Sequence, residues 1–206
     1  MHNPIKSLIE SRVSTNYYDS DRQLSDEQIE ELVQLATRAP TAYNFQNWKF
    51  IAVRSPEAKQ RLAAASFGQR KVVDAAVTFI ICGTLAAHEQ LPSVLLPSVS
   101  AGIITPSTFD TWIGMAQRSH IDNPVLQRDE AIRSASLAAM TLILAAQGMG
   151  LATCAMSGFD AEALKRDFTL AANDLPVIMV TVGYTAETGN WPQKPRRAVR
   201  EVMELA

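Results

Sequence analysis

A chain of 206 residues is long enough for one domain with a real core, and 47% apolar against 19% charged residues is an ordinary globular composition. The formal net charge of −2, with basic residues scattered among acids, supplies no field for a polyanion, so no nucleic-acid partner is expected. Cys82 and Cys154 stand far apart in apolar stretches without a Cys-x-x-Cys spacing, which predicts buried free thiols and fits a reducing cytoplasm.

Met1-His2-Asn3-Pro4-Ile5-Lys6 lacks the apolar core of an export signal and leads into a helix from about Ile5 to Glu10. Ser25 followed by Gln28 has capping-box spacing, and Ile29, Leu32, Val33 and Ala36 continue it as a helix that Pro40 stops. The stretch from Ala39 to Phe50 then sets a turn, short polar groups and the amides Asn44, Gln46 and Asn47 between that helix and a strand, Trp48 to Val53. A loop hung from rigid elements suits the holding of a ligand; an ordinary polar connection is the alternative.

A helix after Pro56 and a strand at Ala76 to Cys82 follow. Between Leu91 and His120, Pro92, Pro97, Gly102 and Pro106 break the pattern, whereas Phe109, Trp112 and Met115 recur at helical spacing. This predicts a mobile loop leading to a short amphipathic helix, with core packing enough to explain its aromatic residues. Between Arg133 and Asp160 no charged residue appears. Ser134, Ser136, Thr141 and Gln147-Gly148 interrupt the run, so it reads as a helix buried on all sides and not as a membrane span, ending near Gly148 before a strand at Leu151 to Met156. Ala135, Ala138, Ala139 and Ala145 would let two such helices approach closely. A helix after Asp160 and a strand from Val177 to Gly183 complete the chain as one α+β domain over residues 1–206.

Several chemistries drop out. Gly148-Met149-Gly150 ends an apolar helix instead of opening one after a strand, which excludes a dinucleotide fingerprint. His2, His88 and His120 are isolated in sequence and lack ligand spacing, so no metal is expected. Ser157 lacks the Gly-x-Ser-x-Gly elbow and no histidine follows it, which removes acyl transfer. Asp26, Glu27, Glu30 and Glu31 crowd one helix start, where they favour the helix dipole. With no glycine-rich cradle, any bound phosphate needs side-chain cations, and Arg12, Lys194 and Arg196 are the candidates; surface salt bridges are the alternative use of each.

Three segments in order resemble the flavin-dependent nitroreductase superfamily: Ser11-Arg12-Val13-Ser14-Thr15-Asn16-Tyr17-Tyr18-Asp19, Ala39-Pro40-Thr41-Ala42-Tyr43-Asn44-Phe45-Gln46-Asn47-Trp48, and Lys194-Pro195-Arg196-Arg197. The blocks Gln127 to Arg133 and Gly158 to Ala163 also look like that family. The chain departs from the common pattern at Asn16, Thr41, Asn47 and Ser157, where a basic residue, Ser, Pro and Glu are usual. The resemblance implies a three-layer α+β fold with a central, mostly antiparallel sheet flanked by helices, in an intertwined homodimer with active sites at the interface. It implies FMN as cofactor and NADH or NADPH as hydride donor, acting on a nitroaromatic, quinone or similar flat acceptor by a ping-pong scheme.

Carried over by position, Arg12 and Ser14 would take the FMN phosphate within the segment that also holds Val13 and Asn16. Lys194 and Arg196 would close on it from the C-terminal end, although Arg197 could take either place. Lys71, with Gln69 beside it, would stand near flavin N1 and the C2 carbonyl, where charge gathers on reduction. Asn44 would meet the ring edge. Pro40, Thr41 and Ala42 would lie along the ring from the other subunit, Ser157 and Gly158 would face N5, and Phe109 and Trp112 are substrate candidates. No protein side chain is required as a catalytic acid or base. A flavin carrier or sensor without turnover, or a flavin dehalogenase or ene-reductase on the same fold, are the alternatives.

Overall fold

Strands and helices pack in three layers in the computed structural model, which describes residues 3–206; Met1 and His2 lie outside the described residues. Four strands, β1 (Trp48–Val53), β2 (Val77–Thr84), β3 (Ala152–Met156) and β4 (Asp174–Gly183), form one antiparallel sheet in the order β1-β2-β4-β3. The residues of β2 are buried on both faces up to Gly83, so helices must cover the sheet on both sides. Alternation divides them: Phe79 and Ile81 point to one layer, Ile80 and Cys82 to the other.

The helices are α1 (Pro4–Ser11), α2 (Asp26–Ala36), α3 (Pro56–Ala65), α4 (Lys71–Asp74), α5 (Ala87–Ser100), α6 (Pro106–His120), α7 (Pro124–Gly148) and α8 (Ala161–Asp167). Leu32 and Ala36 of α2 and Ala135, Ala139, Leu142 and Ala146 of α7 fill the layer against Phe79, Ile81, Val180 and Val182. Leu62 of α3, Val72 of α4 and Leu164 of α8 fill the opposite layer against Ile80, Cys82 and Met179. Burying each of these large side chains contributes roughly 1.5–3 kcal/mol. Ser25 and Gln28 form the capping box expected at the start of α2. At Gly83 the strand runs so close to α7 that an added Cβ would lie 2.2 Å from the Ala131 carbonyl oxygen. No other residue type fits there.

One expectation is corrected. The segment from Leu91 to His120 is not a mobile loop with a short helix: α5 runs through both Pro92 and Pro97, and α6 has 15 residues. Leu91 and Leu95, one turn apart on α5, are buried with Phe45 and Ala116 in a third apolar cluster, and that burial outweighs the lost backbone bonds. Ser93, whose carbonyl Pro97 leaves without its helical donor, is exposed, so water can satisfy it.

Within a single chain, helix α7 is buried along one side. Ala135, Ala138 and Ala139 face inward to this chain's own core, whereas Leu137 and Met140 are 46% and 42% exposed. Within one chain the alanines let the helix approach its own sheet closely. By length and composition α7 could cross a membrane, yet 44% of its most apolar window is buried inside the protein.

Candidate functional site

The two ends of the chain meet at the β3 edge of the sheet. Ser14 forms a parallel bridge with Thr153 of β3, and Tyr18 an antiparallel bridge with Thr185 just beyond β4. The Asn190 carboxamide locks the return: its Oδ1 accepts from the Asn16 and Tyr17 amides at 2.8 and 3.1 Å, and its Nδ2 donates to the Tyr17 carbonyl at 2.9 Å. Gln193 then joins the Arg12 backbone to the Arg196 side chain. Its Nε2 donates to the Arg12 carbonyl at 2.8 Å while its Oε1 accepts from Arg196 Nη2 at 3.1 Å. Arg12 Nη1 also reaches Ser14 Oγ at 3.5 Å.

Among the described residues, Arg12, Lys194 and Arg196 have no carboxylate partner. Lys194 lies over the Trp191 ring at 4.8 Å, and Arg197 is engaged with Glu201 at 3.2 Å. Val13, next to this group, lines a cavity of about 230 Å³ with Gln147, Leu151 and Thr185.

Beside these cations stands a second group. Lys71, at the start of α4, donates from Nζ to Asn16 Oδ1 at 3.2 Å and to Cys154 Sγ at 3.5 Å. Lys59 of α3, nearly buried, anchors α4 by donating to the Ala75 carbonyl at 2.5 Å. Burial lowers the Lys59 pKa, and nearby Asp74 opposes the shift. Gln69 donates from Nε2 to the Gly158 carbonyl at 3.0 Å, so it joins α4 to the exposed Ser157-Gly158 turn after β3. Tyr18 OH and Thr181 Oγ1 share a buried hydrogen bond of 2.8 Å beneath β3, and burial raises the tyrosine pKa.

A third group lies at the other edge. Pro40, Thr41 and Ala42 line a cavity of about 330 Å³ with Glu130, Arg133, Ser134 and Leu137 of α7. Thr41 Oγ1 accepts from the Gln46 amide at 3.1 Å, and Tyr43, Asn44 and Gln46 all take left-handed backbone angles, with φ of 50°, 60° and 50°. Side chains rarely occupy that region, and such residues gather at ligand-holding turns. Phe109 and Trp112 of α6 pack about the same cluster as Ala42, Tyr43 and Phe45, so they accompany this loop and not Lys71.

His88 and His120, isolated in sequence, stack in space with ring centroids 5.9 Å apart; Phe45 meets His120 edge-on at 5.1 Å. No group of three or more metal-ligating side chains occurs among the described residues.

The sequence-predicted residues thus fall into two assemblies. Arg12, Ser14, Asn16, Gln69, Lys71, Gly158 and Arg196 are drawn together by hydrogen bonds around β3, and Lys194 and Ser157 adjoin them in the chain. Pro40 to Asn44 precede β1, the opposite edge strand, three strand spacings or about 14 Å away. Gln193, Asn190, Cys154 and Lys59 were not singled out from the sequence. Amides beside Trp191-Pro192 and an apolar-flanked cysteine carry no local signal, since their roles arise only when the two termini meet.

Fold and site define a three-layer α+β protein with unpaired cations gathered at one sheet edge. The chain belongs to the Nitroreductase family, whose model matches residues 9–184, and it is an oxidoreductase by that membership. It is 34% identical over 176 residues to "Putative NAD(P)H nitroreductase YodC" of Bacillus subtilis, covering 85% of this chain and 87% of that protein. The crystal structure of "putative nitroreductase ydfN" from the same species is 31% identical, has a TM-score of 0.92, and covers 98% of each chain. A nitroreductase-type structure from Exiguobacterium sibiricum, solved in complex with FMN, has a TM-score of 0.90 over 100% of this chain and 99% of that one. At 22% identity it shows the shared fold alone.

Proposed function

We propose that the chain is an FMN-dependent oxidoreductase that draws electrons from NADH or NADPH and delivers them to a nitroaromatic, quinone or similar flat acceptor. The observation that carries this is the Gln193 bridge, which ties the Arg12 backbone to the Arg196 guanidinium and so joins arginine-bearing segments from opposite ends of the chain, neither arginine having a carboxylate partner among the described residues. Such a pair suits a terminal phosphate of charge near −2, as on a mononucleotide, because each planar fork matches two oxygens. Arg197, held by Glu201, is the poorer candidate.

Arg12, Ser14, Lys194 and Arg196 would hold the phosphate, with Val13 and Asn16 alongside, and Lys71 and Gln69 would serve the ring. The chemistry supplied by bound FMN is the acceptance of hydride from the nicotinamide and its onward delivery as electrons, in a ping-pong order. The protein's part is to bind and orient. Lys71 offers an ammonium with no carboxylate partner among the described residues, where it favours added negative charge, and the open turn at Ser157-Gly158 admits close approach of a flat molecule.

The loop residues Pro40, Thr41, Ala42 and Asn44, with Phe109 and Trp112 behind them, complete a site only if a second copy brings them to the β3 edge, which supports a homodimer with shared sites. Two buried free cysteines fit residence in a reducing cytoplasm.

The test is a titration of purified protein with FMN, followed by steady NADH or NADPH oxidation with menadione or a nitroaromatic as acceptor. A yellow protein that turns over both is expected. A colourless protein that takes up no added FMN overturns the proposal, and one that binds FMN without turnover reduces it to a flavin carrier.

A further inference from the structure

The Lys71 ammonium is held at two of its three hydrogens. One goes to Asn16 Oδ1 at 3.2 Å and one to Cys154 Sγ at 3.5 Å; for the third no protein partner occurs among the described residues. Both acceptors stand on anchored backbone. The Asn16 backbone amide is tied to Asn190 at 2.8 Å. Cys154 lies within β3, only 5% exposed and paired in register with Thr181, whose Oγ1 donates to the Cys154 carbonyl at 3.3 Å. Its thiol hydrogen faces the Ala155 carbonyl at 3.7 Å, which leaves a sulfur lone pair for the lysine.

A lysine on a four-carbon stem is otherwise a mobile point charge, and a soft, neutral acceptor fixes its direction without neutralising it. A carboxylate in the same place would cancel the charge. From this geometry we infer that Cys154 is a positioning residue: with Asn16 it aims the free N–H of Lys71 at the flavin edge that becomes negative on reduction, and so strengthens the preference for reduced over oxidised FMN. This rests on the proposal that FMN binds here.

The experiment measures the two-electron potential of bound FMN, together with oxidised-FMN affinity and thermal midpoint, in wild type, Cys154→Ala, Cys154→Val, Cys154→Ser and Lys71→Met. The two apolar replacements are expected to lose about tenfold of the reduced-over-oxidised affinity ratio, a fall of about 30 mV. Cys154→Ser, which restores an acceptor, should return toward wild type, and Lys71→Met should fall at least as far as either apolar variant. A merely structural role would move the thermal midpoint and leave the potential alone. An unchanged potential in whichever apolar variant folds, or in Lys71→Met, overturns the inference while leaving the flavin proposal standing. A wild-type protein that binds no FMN overturns both.

Discussion

Gln193 joins the C-terminal tail to Arg12 by a 2.8 Å bond from its Nε2 to the Arg12 carbonyl, and its other amide atom receives Arg196. One neutral side chain thus fixes the Arg196 guanidinium relative to the backbone that carries Arg12. Gln193→Ala frees Arg196 and should raise the FMN dissociation constant about tenfold, the effect of losing one hydrogen bond to a charged group, roughly 1.5 kcal/mol. Fluorescence titration reads it directly. An unchanged constant would show that the bridge is ornamental.

Arg12→Ala should weaken FMN binding by roughly 10- to 100-fold, because a charge-assisted bond to phosphate is lost. Arg197→Ala should leave affinity within about twofold, since that guanidinium is already engaged with Glu201 on an exposed surface. Equal losses in the two variants would show that positive charge around the site matters and its position does not.

Gly83→Ala should destabilise the protein by more than about 3 kcal/mol, because the new methyl carbon would lie 2.2 Å from the Ala131 oxygen and both strand and helix are fixed by packing on two sides. The thermal midpoint of the variant should fall by roughly 10 °C. A wild-type midpoint would mean that α7 can retreat from the sheet.

Burial, with a smaller contribution from Asp174 and opposition from Lys49, pushes the Cys82 thiol from 9.0 up to about 12. The native state therefore keeps a proton that the unfolded chain releases between these values. Stability is fully retained below about pH 9 and declines as pH rises toward 12, by an amount on the order of a few kcal/mol. Urea midpoints at pH 8 and pH 10.5 should separate, and Cys82→Ala, less stable at pH 8, should show a shallower decline. Parallel declines would assign the alkaline loss to other groups.

What the sequence made legible was the local grammar. The Ser25 and Gln28 box, the Ser55-Pro56 start and the apolar strands reappear because each is decided within a few residues of itself. Pro92 and Pro97 misled because their local penalty is overridden by contacts of Leu91 and Leu95 with Phe45 and Ala116, distant in sequence.

At the site, Arg12 and Arg196 could be named from residue type and motif. The linkage through Gln193, the sulfur behind Lys71 and the stacking of His88 on His120 could not, since each joins segments that only the fold brings together.

Because Pro40 to Asn44 stand at the strand edge opposite Arg12, cofactor uptake and self-association are two faces of one linked equilibrium if the shared site is correct. Dilution would then bleach the protein as it dissociates, and added FMN would drive the halves back together. The degree to which the cell keeps this enzyme charged would depend on its own abundance as much as on the supply of flavin.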